Sequence, residues 1–157
     1  MLIQALTGNH DRRGFDCGRA ELNDWLTRVA RQHQDKGLSK TFVAVQETAP
    51  AAILGYYALT LTEVDTGALP ERHAKRLPRL IPGVRLGRLA VSRQHQGKRL
   101  GELMLMNAIE RVEAIRAHAG AVGLFIDAID DQAAGFYTRY GAIPFPDAPL
   151  KLFLPVG

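Results

Sequence analysis

The segment Gln94-His95-Gln96-Gly97-Lys98-Arg99-Leu100-Gly101 stands where a strand gives way to a helix. The first turn of a helix leaves backbone N–H groups without partners, and the helix dipole adds partial positive charge there. Gly97 lets the chain approach an anion with no Cβ in the way, and Lys98 and Arg99 place full charges beside it. That is phosphate-binding chemistry. The glycine spacing is not that of the dinucleotide fingerprint, and the turn lacks the G-K-[ST] ending of a P-loop, which argues against nucleoside triphosphate hydrolysis. Tyr137 offers a second chemistry. A phenol with an ordinary pKa near 10 stays protonated at neutral pH and can give a proton to an anionic leaving group. The alternative for Tyr137 is that it only packs a helix against a sheet.

Other reactive types are sparse. His33, His73, His95 and His118 show no ligand spacing, so no metal is expected. Cys17 is the only cysteine, which excludes an intrachain disulfide and fits a reducing cytoplasm. Nothing nearby supplies a base for it, so a structural role is expected. Glu63, Asp127 and Asp130 are candidate bases, each equally explained as a strand residue or a helix cap.

The elements that must position these groups follow from periodicity. Leu22, Trp25, Leu26 and Val29 recur at helical spacing and predict a helix over about 19–34, with Trp25 in the core. Segments 41–46 and 53–64 read as strands joined in an antiparallel hairpin, and 66–82 reads as loop with at most a short helix. In the strand 84–91 (VRLGRLAV), Val84 and Leu86 set one apolar phase while Leu89 and Val91 set the other. A β-bulge near Gly87 and Arg88 would reconcile them, and a strand buried on both faces would also explain them. A helix over about 98–119 follows, with Leu100, Met104, Ala108, Val112 and Ile115 on one stripe. Residues 123–129 read as a buried strand, 132–140 as a helix capped by Asp130 or Asp131 and ended at Gly141, and 150–154 as a last strand. The order predicts a mixed α/β (α+β) domain over residues 1–157.

With 157 residues, one such domain fills the chain. No apolar run approaches the roughly 18 residues of a membrane span, and the start has neither a basic leader nor a long apolar stretch, so no secretory signal is expected. The net charge of +4 hides a band. Arg72, Lys75, Arg76, Arg79, Arg85, Arg88, Arg93, Lys98 and Arg99 fall between Pro70 and Leu100, against Glu71 alone. Such a band is either a solvated face or a surface that meets phosphate, on a nucleotide or on nucleic acid.

The turn resembles the central motif Gln/Arg-x-x-Gly-x-Gly/Ala of the GNAT acetyltransferases, with Gln94, Gly97 and Arg99 at its marked positions. Arg99 departs from the pattern. Asp130-Gln132-Ala133-Phe136-Tyr137-Gly141 resembles the family's Asn-x-x-Ala-x-x-Phe-Tyr-x-x-x-Gly, with Asp130 in place of Asn. The resemblance implies a GNAT fold: a central mixed, mostly antiparallel sheet with splayed strands, flanked by helices. It implies acetyl-CoA as cosubstrate, held by Leu89, Ala90 and Val91 along the pantetheine arm and by Gln96, Gly97, Lys98, Arg99, Leu100 and Gly101 at the pyrophosphate. Phe136 would lie against the cofactor, and Tyr137 would be the acid that protonates the departing thiolate.

Four further stretches are similar to one subgroup, the toxins of bacterial toxin–antitoxin pairs that acetylate aminoacyl-tRNA. They are Phe15-Asp16-Cys17-Gly18 followed by Leu22-Asn23-Trp25-Leu26, then Gly55-Tyr56-Tyr57, Lys75-Arg76-Leu77-Pro78 and Leu86-Gly87-Arg88-Leu89-Ala90-Val91. The resemblance implies aminoacyl-tRNA as substrate, with Arg72, Lys75, Arg76 and Arg79 on the acceptor end. It also implies a cytoplasmic protein with a ribbon-helix-helix antitoxin as partner and, as in many relatives, a homodimer. The alternatives are a GNAT enzyme acting on a small amine, a peptide N-terminus or a lysine, and a nucleic-acid binding module without catalysis.

Overall fold

Leu22, Trp25 and Leu26 form the expected helical stripe, and the chain coils over α1 (Ala20–Arg28) and α2 (Ala30–Asp35) in the computed structural model, which describes residues 1–156. The single helix expected over 19–34 is interrupted at Val29, whose φ of −118° is more extended than that of an ordinary helical residue. The i to i−4 bonds continue across it, from Val29 N–H to the Trp25 carbonyl and from His33 N–H to the Val29 carbonyl, both 2.9 Å.

β2 (Lys40–Val45) and β3 (Gly55–Asp65) pair antiparallel, as expected of two strands joined in a hairpin. β1 (Leu2–Ala5) adds antiparallel to β2, from Leu2 opposite Val45 to Ala5 opposite Phe42. It was not anticipated, because four residues with one exposed end carry no clear period. A short α3 (Glu71–Ala74) interrupts the predicted loop. β4 (Leu80–Val91) starts four residues before the predicted strand, ahead of α4 (Leu100–Arg116). β5 (Gly123–Asp127), α5 (Asp131–Arg139), β6 (Ile143–Phe145) and β7 (Ala148–Pro155) complete the chain. β6 also escaped the sequence reading: it has three residues, one of them Pro144, and its register with β7 shifts at Pro144. Proline in a sheet belongs at such an edge, since it has no N–H to donate.

The seven strands are hydrogen-bonded in the order β1-β2-β3-β4-β5-β7-β6. Pairing is parallel between β4 and β5 and antiparallel between β1 and β2, β2 and β3, β5 and β7, and β6 and β7. The β4–β5 ladder runs from Val84 opposite Leu124 to Leu86 opposite Ile126, and β4 continues for five residues beyond it. Burial along β4 corrects the expected phase change at Gly87. Val84, Leu86 and Ala90 are all buried on one phase, straight through Gly87 and Arg88. Alternation breaks earlier, where Gly83 and Val84 are both buried.

Two compact units emerge, one of residues 1–60 with 88–108 and the other of 61–87 with 109–157. The first packs Leu6, Trp25, Leu26, Val43, Tyr56 and Ala90 into one cluster. The second is built on Ile81, Phe125, Phe145 and Phe153, with Phe125 and Phe153 stacked at 4.9 Å. Burying side chains of this size stabilises a fold by about 1.5–3 kcal/mol each before entropy is counted. The α4 stripe is as predicted at Leu100, Met104, Ala108 and Val112, all buried, with Ile115 half-buried. No helix among the described residues is long and apolar enough to cross a membrane.

Candidate active site

The turn after β4 is pinned on three sides. Ser92 N–H donates to the Leu54 carbonyl at 2.8 Å, and Arg93 N–H donates to the Asp16 carbonyl at 2.9 Å. The Arg93 guanidinium also meets the Asp16 carboxylate at 3.4 Å. Asp16 accepts from Gly18 N–H and from the Asn23 amide, and these bonds hold its carboxyl below the usual range. The Gln96 amide donates to the carbonyls of Cys17 and Val91, both at 3.0 Å. Gln96 therefore anchors the turn through its side chain, leaving its backbone for a ligand.

Beyond that anchor the chain makes two left-handed residues, Gly97 with φ 76° and Arg99 with φ 64°, and enters α4. Glycine adopts this region freely, whereas an L side chain there costs roughly 1–2 kcal/mol. Arg99 therefore holds a conformation that glycine would adopt without strain. Gln96, Gly97, Lys98 and Arg99 are exposed, Leu100 is buried as the anchor of α4, and Gly101 is half-buried. The concentration of N–H groups at the start of this 17-residue helix suits a phosphate group. Glu102 in the first turn is the one opposing charge. Upstream, Leu89 and Val91 are half-buried and Ala90 is buried. A cavity of about 340 Å³ also opens in this unit beside Asp11, Asp16, Ile53, Arg93 and His95. His95 is held there by a 2.7 Å hydrogen bond between its Nδ1 and Ser92 Oγ.

The second unit carries Tyr137. Asp130 caps α5 by accepting from Ala133 N–H at 2.8 Å, so the Asn-to-Asp change preserves the cap. The helix ends at Gly141, whose φ is 97°. Tyr137 is 4% exposed. Burial pushes its phenol well above the ordinary value, and the negative charge of Asp127 adds to the shift. Such a phenol remains an acid throughout the neutral range. Phe136 is half-buried, its ring edge-on to Tyr137 at 5.2 Å and beneath the Arg139 guanidinium at 5.9 Å.

The three candidate bases are now distinguishable. Asp130 is occupied as a cap, and Asp127 is shared with Arg85 at 3.6 Å. Glu63 has no cation within ion-pair distance among the described residues and lines a cavity of about 200 Å³ with Arg85, Asp127, Lys151 and Phe125.

Arg72, Lys75, Arg76 and Arg79 are all exposed, on and just after α3. The band is less bare than its composition suggested: Arg79 meets Asp65 at 3.3 Å, and Arg85 and Arg93 have Asp127 and Asp16. Arg76 adopts φ 66°. Cys17 is buried, donates from its Sγ to the Arg19 carbonyl at 3.6 Å, and has its thiol pushed up by burial, which fits a structural role. The sequence reading missed the aromatic platform of Phe15, Trp25 and Tyr56. Trp25 and Tyr56 stack at 6.0 Å, Phe15 meets Tyr56 edge-on at 5.5 Å, and Arg88 lies over Trp25. The three aromatics stood in the sequence, but no spacing rule says which ring faces meet across 41 residues of chain.

A seven-stranded mixed sheet, a basic left-handed turn opening a long helix, and a buried tyrosine on the next helix define a GNAT-type acyltransferase. No family model matches the sequence. A tRNA-acetylating toxin of Mycobacterium tuberculosis is 31% identical over 144 residues, covering 92% of this chain and 85% of the relative. Among solved structures, AtaT complexed with acetyl-methionyl-tRNAfMet superposes with a TM-score of 0.90 at 34% identity, covering 98% of this chain and 94% of that one. A mutant AtaT toxin bound to the C-terminus of the antitoxin AtaR and to acetyl-CoA gives 0.81 at 32% identity, over 98% and 92% of the two chains. This chain belongs to the tRNA-acetylating toxin family.

Proposed function

We propose that this protein transfers the acetyl group of acetyl-CoA to the amino group of aminoacyl-tRNA and so blocks translation. The observation that carries the reading is the pair of left-handed residues, Gly97 and Arg99, at the amino end of α4, a cradle for a pyrophosphate in a chain of this family. In this reading residues 1–157 act as one GNAT domain, supported by β3, β4 and α4 each running from one unit into the other.

The site residues have the following roles. The turn Gln96–Gly101 holds the pyrophosphate through backbone N–H groups and through Lys98 and Arg99. Leu89, Ala90 and Val91 bind the pantetheine arm, and their N–H groups polarise the thioester oxygen as charge develops on it. Phe136 packs against the cofactor. The substrate's neutral amine attacks the acetyl carbon, the new C–N bond forms, and the C–S bond breaks. Tyr137 gives its proton to the sulfur, the amine releases one to solvent, and Tyr137 is reprotonated from solvent, so the cycle closes with no net change in protons. An α-amino group has a reference pKa near 8, so it needs less help to become neutral than a lysine does. No metal enters this scheme.

Arg72, Lys75, Arg76 and Arg79 hold the acceptor end by phosphate contacts without sequence readout. An antitoxin is the expected partner, of the ribbon-helix-helix type, with a homodimer as the working assembly in the cytoplasm. The test is incubation with labelled acetyl-CoA and a mixture of charged tRNAs. Label is expected on the aminoacyl end of a subset of them; label only on small amines or proteins would overturn the reading. Replacing Arg76 and Arg79 with Glu should lower kcat/KM on charged tRNA by about tenfold or more at physiological salt, with acetyl-CoA affinity retained. Unchanged acetylation of charged tRNA would remove this face from the substrate site.

A further inference from the structure

Arg88 differs from its neighbours in β4 and the following turn. Arg85 and Arg93 each have a carboxylate, at 3.6 and 3.4 Å. Arg88 is half-buried, and its guanidinium carbon lies 4.4 Å from the centroid of the Trp25 ring. No hydrogen bond or ion pair reaches it among the described residues. An indole face attracts the guanidinium from one side but accepts none of its five in-plane N–H donors. A partly buried charge with unused donors is costly unless something else supplies the acceptors.

The platform cannot supply them. Trp25 and Tyr56 are stacked with their planes 10° apart, and the Tyr56 hydroxyl donates to the Leu22 carbonyl at 2.6 Å. Burial, above all, pushes the Tyr56 phenol up, so it stays neutral. The guanidinium therefore lies over an indole that takes up none of its N–H donors. A planar fork of this kind matches two oxygens of a phosphate.

We propose that Arg88 binds a phosphodiester of the acceptor strand of the tRNA substrate, adjacent to where the acetyl group is transferred. This rests on the reading given under Proposed function. Arg88 immediately precedes Leu89–Val91, the residues assigned to the pantetheine arm. Val91 lies three residues further on, roughly 10 Å along an extended strand, and the pyrophosphate turn begins beyond that. The anion at Arg88 is thus a second one. In an aminoacyl-tRNA the reactive amine is joined through one ribose to the nearest backbone phosphate, so an amine placed at the thioester brings that phosphate alongside.

The test compares two minimal acceptors, an aminoacyl ester of adenosine with and without a 5′-phosphate, on the wild-type protein, Arg88→Met and Arg88→Lys. The wild type is expected to show at least tenfold higher kcat/KM for the phosphate-bearing acceptor. That preference should fall to within twofold in Arg88→Met and stay at about threefold in Arg88→Lys, which keeps the charge without the fork. A parallel arm compares acetyl-CoA with its 3′-dephospho form. A wild type without acceptor preference would overturn the proposal, as would a preference surviving in Arg88→Met. So would a result in which Arg88→Met abolishes discrimination between the two acetyl-CoA forms instead. The wild-type ratio needs no variant to fold. Failure of the wild type to acetylate any aminoacyl ester would sink the substrate reading itself, which is distinct from loss of the phosphate preference alone.

Discussion

The turn before α4 and the carboxyl half of α5 are built by opposite means. The turn is exposed, and its shape is written in the backbone: two left-handed residues, with side-chain anchors holding the loop from behind. The tyrosine helix is ordinary in its backbone, with an Asp cap at one end and a glycine stop at the other, and its special property is burial. In the reading given under Proposed function, the exposed turn presents N–H groups to a phosphate, and burial keeps the phenol protonated through the neutral range.

The largest test of this contrast is Tyr137→Phe, which removes the hydroxyl and keeps the packing. We expect kcat to fall by at least 100-fold, about 2.7 kcal/mol of barrier, with acetyl-CoA KM within threefold. A fall of less than threefold would mean that Tyr137 is not the acid. The pH profile sharpens the point. Burial raises the phenol above its ordinary value, so the protonated form is the one favoured by folding, and it is lost only as pH climbs past the shifted value. The kcat profile should therefore rise as the amine becomes neutral and show no descending limb below about pH 10. A limb near 8.5 would assign the proton to another group.

Next in size is Gly97→Val, which puts a β-branched side chain at φ 76°. The strain of about 1–2 kcal/mol should weaken acetyl-CoA binding by about tenfold in calorimetric titration, with the maximal rate at saturating cofactor little changed. A reduced kcat at unchanged affinity would reverse the division of labour between the two regions. The smallest effect is expected for Arg99→Gly. Relief of a left-handed arginine should raise the melting temperature of the free protein by about 2–4 °C, while the lost charge makes acetyl-CoA binding weaker at low salt. A lower melting temperature would show that the arginine side chain stabilises the turn by more than its backbone strain costs.

Much of the fold was legible because long elements repeat their signal. The stripe from Leu100 to Val112 samples several turns, and β2 and β3 are long runs of β-branched, aromatic and other apolar residues, so they survive local exceptions. β1 and β6 were not, since three or four residues hold at most two periods and their pairing is decided by the neighbours β2 and β7. The phase of β4 was misread for a related reason. Apolar type was taken for burial, yet Leu89 and Val91 are only half-buried while Ala90 between them is buried. The break between α1 and α2 at Val29 has no proline or glycine to announce it.

The sequence by itself determined the order of the long elements, the cap and stop of α5, the glycine at the left-handed entry to α4, and the excess of basic side chains between residues 70 and 100. These are local, set by residue type and spacing of a few positions. Only the tertiary structure decided which of those arginines acquire carboxylates and which lies over a tryptophan, that Gln96 spends its amide on two carbonyls, and that Tyr137 is dry. Each of those depends on groups far apart in the chain, and a charge or a phenol takes its chemistry from whatever surrounds it in space rather than from its neighbours in sequence.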